Sequence, residues 1–107
     1  MRRRFFLYKT AAGIEPFTVY LESLNDRRAA AKIKARIARA ELENLGDHRT
    51  VGQGVVELRI DFGPGYRVYA GFHGNETIVL LCAGDKSSQH VDIAKAHIYW
   101  RDYRRRL

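Results

Sequence analysis

The stretch Val55-Val56-Glu57-Leu58-Arg59-Ile60-Asp61-Phe62, followed by Gly63-Pro64-Gly65 and then Tyr66-Arg67-Val68-Tyr69-Ala70-Gly71-Phe72, decides the fold. Its first part alternates strictly. Val56, Leu58, Ile60 and Phe62 point one way and Val55, Glu57, Arg59 and Asp61 the other, which is the period-two pattern of a half-buried strand. Gly63-Pro64-Gly65 is turn chemistry. The strand after it sets Val68, Ala70 and Phe72 against Arg67, Tyr69 and Gly71. A regular hairpin register then brings Glu57, Arg59, Arg67 and Tyr69 onto one face. His73-Gly74-Asn75-Glu76 reads as a second turn. Thr77-Ile78-Val79-Leu80-Leu81-Cys82-Ala83 is apolar on both faces and predicts the most buried, central strand, ended by Gly84.

Outward from this meander, residues 4–9 are rich in Phe and Tyr and read as a short first strand. Residues 15–24 read as a helix, with Pro16 suited to its first position and Phe17, Tyr20, Leu21 and Leu24 on one face. Asn25-Asp26 is a capping signal for a helix running to about Asn44. Its buried stripe is Ala30, Ile33, Ile37 and Ala40, with Lys32, Arg36, Arg39 and Glu43 opposite and Gly46 as a stop. Residues 88–103 read as a closing helix capped by Ser87 or Ser88 and packed through Val91, Ala94, Ile98 and Trp100. The order β-α-α-β-β-β-α predicts a single α+β domain over 1–107, its mainly antiparallel sheet covered on one face by a helical hairpin. The other face is left for function, partly closed by the last helix.

Of 107 residues, 46% are hydrophobic and 29% charged, which excludes a disordered or fibrous chain. The single cysteine, Cys82, excludes an internal disulfide framework and points to a reducing, cytoplasmic setting. Met1-Arg2-Arg3-Arg4 resembles the start of a secretion signal, but Phe5-Phe6-Leu7-Tyr8 is too short an apolar run before Lys9. No stretch is long and apolar enough to span a membrane. Nineteen Lys+Arg against twelve Asp+Glu give a net charge of +7, and a domain this basic attracts polyanions. The excess gathers at Arg2 to Arg4, along residues 27–39, and at Arg101, Arg104, Arg105 and Arg106. The 27–39 run reads first as the wet face of an amphipathic helix.

Arg59, Arg67 and Lys86, which follows the third meander strand, would set three cations and the Tyr69 ring around one concave patch. Arg binds phosphate through paired N–H bonds and stays charged at any working pH. A Tyr or Arg plane can stack on an unpaired base. With RNA, a 2′-OH can attack its neighbouring phosphate if a base takes its proton and cations stabilise the transition state. His48, His73, His90 and His97 show no ligand spacing with Cys82, so no metal is expected. His90 is a conceivable general base, though a surface helix histidine is the plainer reading. Gly63-Pro64-Gly65 has no helix after it and is no dinucleotide loop. Gly84-Asp85-Lys86-Ser87 matches only the end of a P-loop, since Leu80 stands where its first glycine belongs. No cofactor is expected.

Four segments in order resemble the addiction module killer protein branch of the RelE/HigB toxins, within the RelE/ParE superfamily. They are Gly54-Val55-Val56-Glu57-Leu58-Arg59-Ile60, Phe62-Gly63-Pro64-Gly65-Tyr66-Arg67-Val68-Tyr69, Leu80 to Gln89, and Asp92-Ile93-Ala94-Lys95-Ala96. The upstream helix, Leu24-Asn25-Asp26-Arg27 and the basic helix ending near Leu45-Gly46-Asp47 agree. The resemblance implies a RelE-like fold and the toxin half of a bacterial type II toxin–antitoxin pair. It implies a metal-independent endoribonuclease that cuts mRNA at the ribosome. Arg59 and Arg67 would then clamp the scissile phosphate, and Lys86 would contact it or donate a proton. Tyr69, Tyr66, Glu57 and Gln89 would contact RNA, with the general base unassigned. The implied partners are the ribosome, mRNA and a cognate antitoxin, often with a helix-turn-helix and encoded next door, through which operator DNA is reached. The competing expectations are a ParE-like gyrase poison without RNase activity and a non-catalytic homologue that only binds antitoxin and operator.

Overall fold

A computed structural model of the chain describes residues 3–42, 45–74 and 76–107. Strands β1 (Arg4–Leu7), β2 (His48–Thr50), β3 (Val55–Ile60), β4 (Tyr66–His73) and β5 (Thr77–Asp85) form one sheet in the order β1-β5-β4-β3-β2. Helices α1 (Pro16–Ser23), α2 (Arg27–Glu41) and α3 (Gln89–Arg105) complete an α+β domain. The sheet is mixed: β1 runs parallel to β5, and the other pairs are antiparallel.

The two phases of the meander become two cores. Val56, Leu58, Ile60, Tyr66, Val68, Ala70, Ile78 and Leu80 face α1 and α2, against Phe17, Ala29, Ile33 and Ala40. Val55, Tyr69, Val79, Leu81 and Cys82 face α3, against Ala96 and Trp100. Leu81 and Cys82 lie on the same side because β5 carries an extra residue where Tyr69 pairs with Cys82 but Ala70 with Leu80. Asp26 caps α2 as expected, its carboxylate accepting the Arg28 N–H at 2.9 Å. Gly71 has no side chain because the Trp100 ring occupies that space: a Cβ there would overlap it.

Several expectations need correction. The face reserved for function is itself a core, since α3 lies on most of it. That helix packs through Ala96 and Trp100, with Ile93, Tyr99 and Tyr103 beside them, whereas Val91, Ala94 and Ile98 are exposed. Trp100 seats over Gly71, so the inward stripe of the helix is rotated from the aliphatic one. Arg36, expected on the wet face of α2, is 4% exposed. Strand β2 was not expected at all; it is three exposed residues with no apolar alternation. Strand β5 runs on through Gly84 to Asp85, and a short 3-10 turn, Lys86–Ser88, leads into α3. Ser88 precedes α3 without a capping bond; Asp85 instead accepts the Ser87 N–H. Helix α2 ends at Glu41; Glu43, Asn44, Asn75 and Arg2, which figure in the sequence reading, lie outside the described residues. Arg3 and Arg106 are tied down, donating to the Ala40 and Lys9 carbonyls at 2.9 and 2.6 Å. Among the described residues no helix is long and apolar enough to cross a membrane.

Candidate functional site

Helix α3 begins only at Gln89, so it leaves bare the end of the sheet where β3 hands over to β4. There Arg59 pairs with Arg67 across the hairpin, and Arg67 pairs in turn with Gly84 of β5. The backbone N–H of Lys86 donates to the Gly65 carbonyl at 2.8 Å, holding the residue after β5 against the hairpin turn. Arg59, Arg67 and Lys86 thereby line one open groove of about 330 Å³ with Tyr66, Asp47 and Asp61.

Behind the groove lies Glu57, fully buried. Its Oε1 accepts from Arg49 Nε at 3.0 Å and Arg59 Nε at 3.2 Å, and Arg67 Nε stands 3.7 Å away. Its Oε2 accepts from the Tyr69 hydroxyl at 3.0 Å and from Gln89 Nε2 at 2.9 Å. Burial pushes the carboxyl pKa up, but the bonds from Gln89, Arg49, Tyr69 and Arg59 outweigh it and hold the group below its ordinary value. The Tyr69 hydroxyl is raised strongly, by burial first and by the Glu57 charge second. Both states agree on one arrangement: an ionised carboxylate receiving a neutral phenol.

The expected cluster is therefore brought together in part and redefined in part. Arg59, Arg67 and Lys86 share the groove. Glu57, Tyr69 and Gln89 do not present themselves to a ligand in the way expected. Glu57 and Tyr69 are sealed under α3, so neither can touch RNA nor stack on a base. The side-chain amide of Gln89 is engaged by Glu57. Tyr66 is 7% exposed and belongs mostly to the α1–α2 core, although its edge reaches the groove. The two arginines are not free of carboxylates either: Glu57 holds both from behind, and Asp47 stands 3.8 Å from Arg59. Arg67 Nε is buried and makes no hydrogen bond.

Arg49 was missed. It lies in a polar, non-alternating stretch, and only the β2–β3 register, which sets it opposite Glu57, brings it in. His90 is exposed in the first turn of α3 and does not line the groove. Among the described residues no group of three His, Cys, Asp or Glu side chains is placed to hold a metal ion.

What the arrangement can do follows from its charges. One buried anion lies behind the two arginines of the groove: it accepts the Arg59 Nε–H and stands within ion-pair distance of Arg67. With Lys86 beside them, the groove is suited to an anion with several oxygens.

No family model matches the chain. An uncharacterized protein of Haemophilus influenzae strain Rd is 48% identical over 82 residues, which are 77% of this chain and 83% of that protein. At that identity and coverage the chain belongs to the same family as the Haemophilus protein.

Proposed function

We propose that this protein is a RelE/HigB-type toxin of a bacterial type II toxin–antitoxin pair, an endoribonuclease that cuts mRNA at the ribosome. One observation carries the reading: Arg59 and Arg67 lie opposite each other on adjacent strands, with Lys86 on the wall of the same groove. The α+β order with a hairpin of helices on one sheet face supports a RelE-like fold. The sequence segments that resemble the branch fall on β3, β4, β5 and α3, and the first three of them supply Arg59, Arg67 and Lys86 to this groove.

In this scheme Arg59 and Arg67 hold the non-bridging oxygens of one phosphodiester. The 2′-OH gives its proton to solvent water, its oxygen attacks phosphorus, the O2′–P bond forms and the P–O5′ bond breaks. The products are a 2′,3′-cyclic phosphate and a free 5′-hydroxyl. Charge gathers on the phosphoryl oxygens in the transition state, where fixed guanidinium groups stabilise it most; removing one such donor typically costs about 10²–10³ in rate. Lys86 contacts the same phosphate or protonates the leaving oxygen. Glu57 is not the base that takes the 2′-OH proton, because it is buried and its basicity is lowered. It is a positioning residue. A cognate antitoxin would restrain the activity in the cytoplasm, and operator DNA would be reached only through it.

The test is induction of the chain in cells with mapping of RNA ends. Growth arrest with new 5′-hydroxyl ends inside translated messages is the expected result. Arg67→Ala should relieve the arrest while circular dichroism stays unchanged. Arrest with intact messages and a DNA damage response would replace this reading with gyrase poisoning. No growth effect would leave a binding module.

A further inference from the structure

Beside the first groove runs a second, of about 360 Å³, lined on the helical side by Lys32, Arg36 and Arg39 of α2. The two share Asp47, Arg59, Ile60 and Asp61, so they form one trough with Arg59 at the saddle between them. Helix α2 is fixed to the hairpin end there: Arg28 and Lys32 lie over the Phe62 ring, 5.9 and 5.8 Å from its centroid. The floor of the second groove is unusual. Arg36 is 4% exposed, and its Nε donates to the carbonyl of Arg59 itself at 2.9 Å. Its Nη2 donates to the carbonyls of Asp47, at 2.8 Å, and Leu45. Its Nη1 is buried without a hydrogen-bond partner. Its buried charge is met by backbone carbonyls and, from beyond ion-pair distance, by the Asp47 carboxylate on the wall of the same trough.

We infer that this trough seats a single-stranded RNA several nucleotides long, with Arg59, Arg67 and Lys86 at one phosphate and Lys32 and Arg39 each at a further one. The inference rests on the function proposed above and extends it from one phosphodiester to a strand. Lys32 and Arg39 are exposed and seven positions apart, which is two helical turns or about 10 Å of axis. Cations spread over that length match a chain of phosphates better than one compact anion. Arg36 fixes the level of the Arg59 backbone and so couples the two halves. The carboxylates of Asp47 and Asp61 on the shared wall oppose the strand and set a limit on its affinity.

The experiment uses fluorescein-labelled 2′-O-methyl oligouridylates of three and nine nucleotides, which cannot be cleaved. Binding is followed by anisotropy at several salt concentrations. The wild type should bind the nine-mer at least about tenfold more tightly than the three-mer. Lys32→Ala with Arg39→Ala should erase that difference and leave the three-mer unaffected. It should also lower the slope of log K against log salt by about 1.4, two phosphate contacts on a single strand. Asp61→Asn should tighten the nine-mer. A double variant that binds the nine-mer like wild type overturns the inference, while weakening of the three-mer by Arg67→Ala in the same experiment keeps the first groove as a phosphate site. Three-mer binding indifferent to Arg67→Ala counts instead against the proposed function. A double variant that keeps RNA binding but loses binding to poly-glutamate assigns the second groove to an acidic protein segment and also overturns the inference.

Discussion

The Tyr69 hydroxyl donates to Glu57 Oε2 at 3.0 Å across the β3–β4 pair, and both residues are fully buried. The bond lies at the junction between the α3 core and the cationic groove. Removing the carboxylate would strand the Tyr69 hydroxyl and crowd Arg49, Arg59 and Arg67 without their common anion. Glu57→Ala should therefore destabilise the fold by about 3 kcal/mol, read as a shift in the urea midpoint. Tyr69→Phe removes one neutral donor and should cost about 1 kcal/mol. Because Tyr69 does not face the groove, that variant should keep growth arrest; its loss in a folded Tyr69→Phe protein would return the ring to the substrate site.

Acid should find the same carboxylate. Glu57 titrates below its ordinary value in the folded protein, so its ionised form is favoured by folding. Its contribution is fully present above the unfolded carboxylate pKa, roughly 4.3, and is lost as pH falls through the lower folded value. The melting temperature of the wild type should drop as pH is taken below about 4. Glu57→Gln should start from a lower melting temperature at neutral pH and show a shallower drop. Parallel curves for the two proteins would remove Glu57 from the acid response.

Cys82 offers a probe of the whole fold. Its thiol is buried, and burial, assisted by the Asp92 charge, raises its pKa to about 12. Thiolate is then negligible at pH 8, and thiol reagents should label the native protein only through unfolding. Labelling should become fast in denaturing urea. Rapid labelling in native buffer would mean that α3 detaches on its own.

Gly71 is the tightest approach between sheet and helix. Gly71→Ala would drive a methyl group into the Trp100 ring, and the fixed backbone of β4 leaves the ring to move. A loss of about 2 kcal/mol and a change in tryptophan emission are expected. Emission from the single tryptophan makes the result unambiguous.

Lys86 separates chemistry from stability. It is exposed and serves the fold through its backbone, whose N–H donates to the Gly65 carbonyl and whose carbonyl accepts from the Gln89 N–H. Lys86→Ala should leave the melting temperature within about 1 °C, as surface substitutions commonly do. It should nonetheless relieve growth arrest if the ammonium acts on the phosphate.

The meander was legible because alternation is a direct imprint of a two-sided sheet. Val56, Leu58 and Ile60 on one side and Glu57 and Arg59 on the other occupy the faces their spacing assigns. The stripe of α2 was legible for the same reason. The face of α3 was not, since a helix with apolar residues at Val91, Ile93, Ile98 and Trp100 offers more than one inward direction, and only contact with Gly71 selects among them. Arg36 was misread because a guanidinium at a polar phase gives no sign that backbone carbonyls from a later loop will receive it. In the site, the convergence of Arg59, Arg67 and Lys86 followed from strand phase and turn position. The role of Glu57 did not: a charged residue on a strand reads as solvated until the sheet supplies four donors to it.

The pairing of β1 with β5 has a consequence for how the chain is made. Arg4 aligns with Thr77 and Leu7 with Leu80, so β1, which precedes the other strands of the sheet, waits for the last of them before it has a neighbour. Closing a loop of that length is entropically slow relative to forming α1 or the β3–β4 hairpin. During translation the Phe5-Phe6-Leu7 segment stays unpaired until β5 clears the exit tunnel. Native structure should therefore be completed only once β5 is available, with β1 docking after the β3–β4 hairpin has formed.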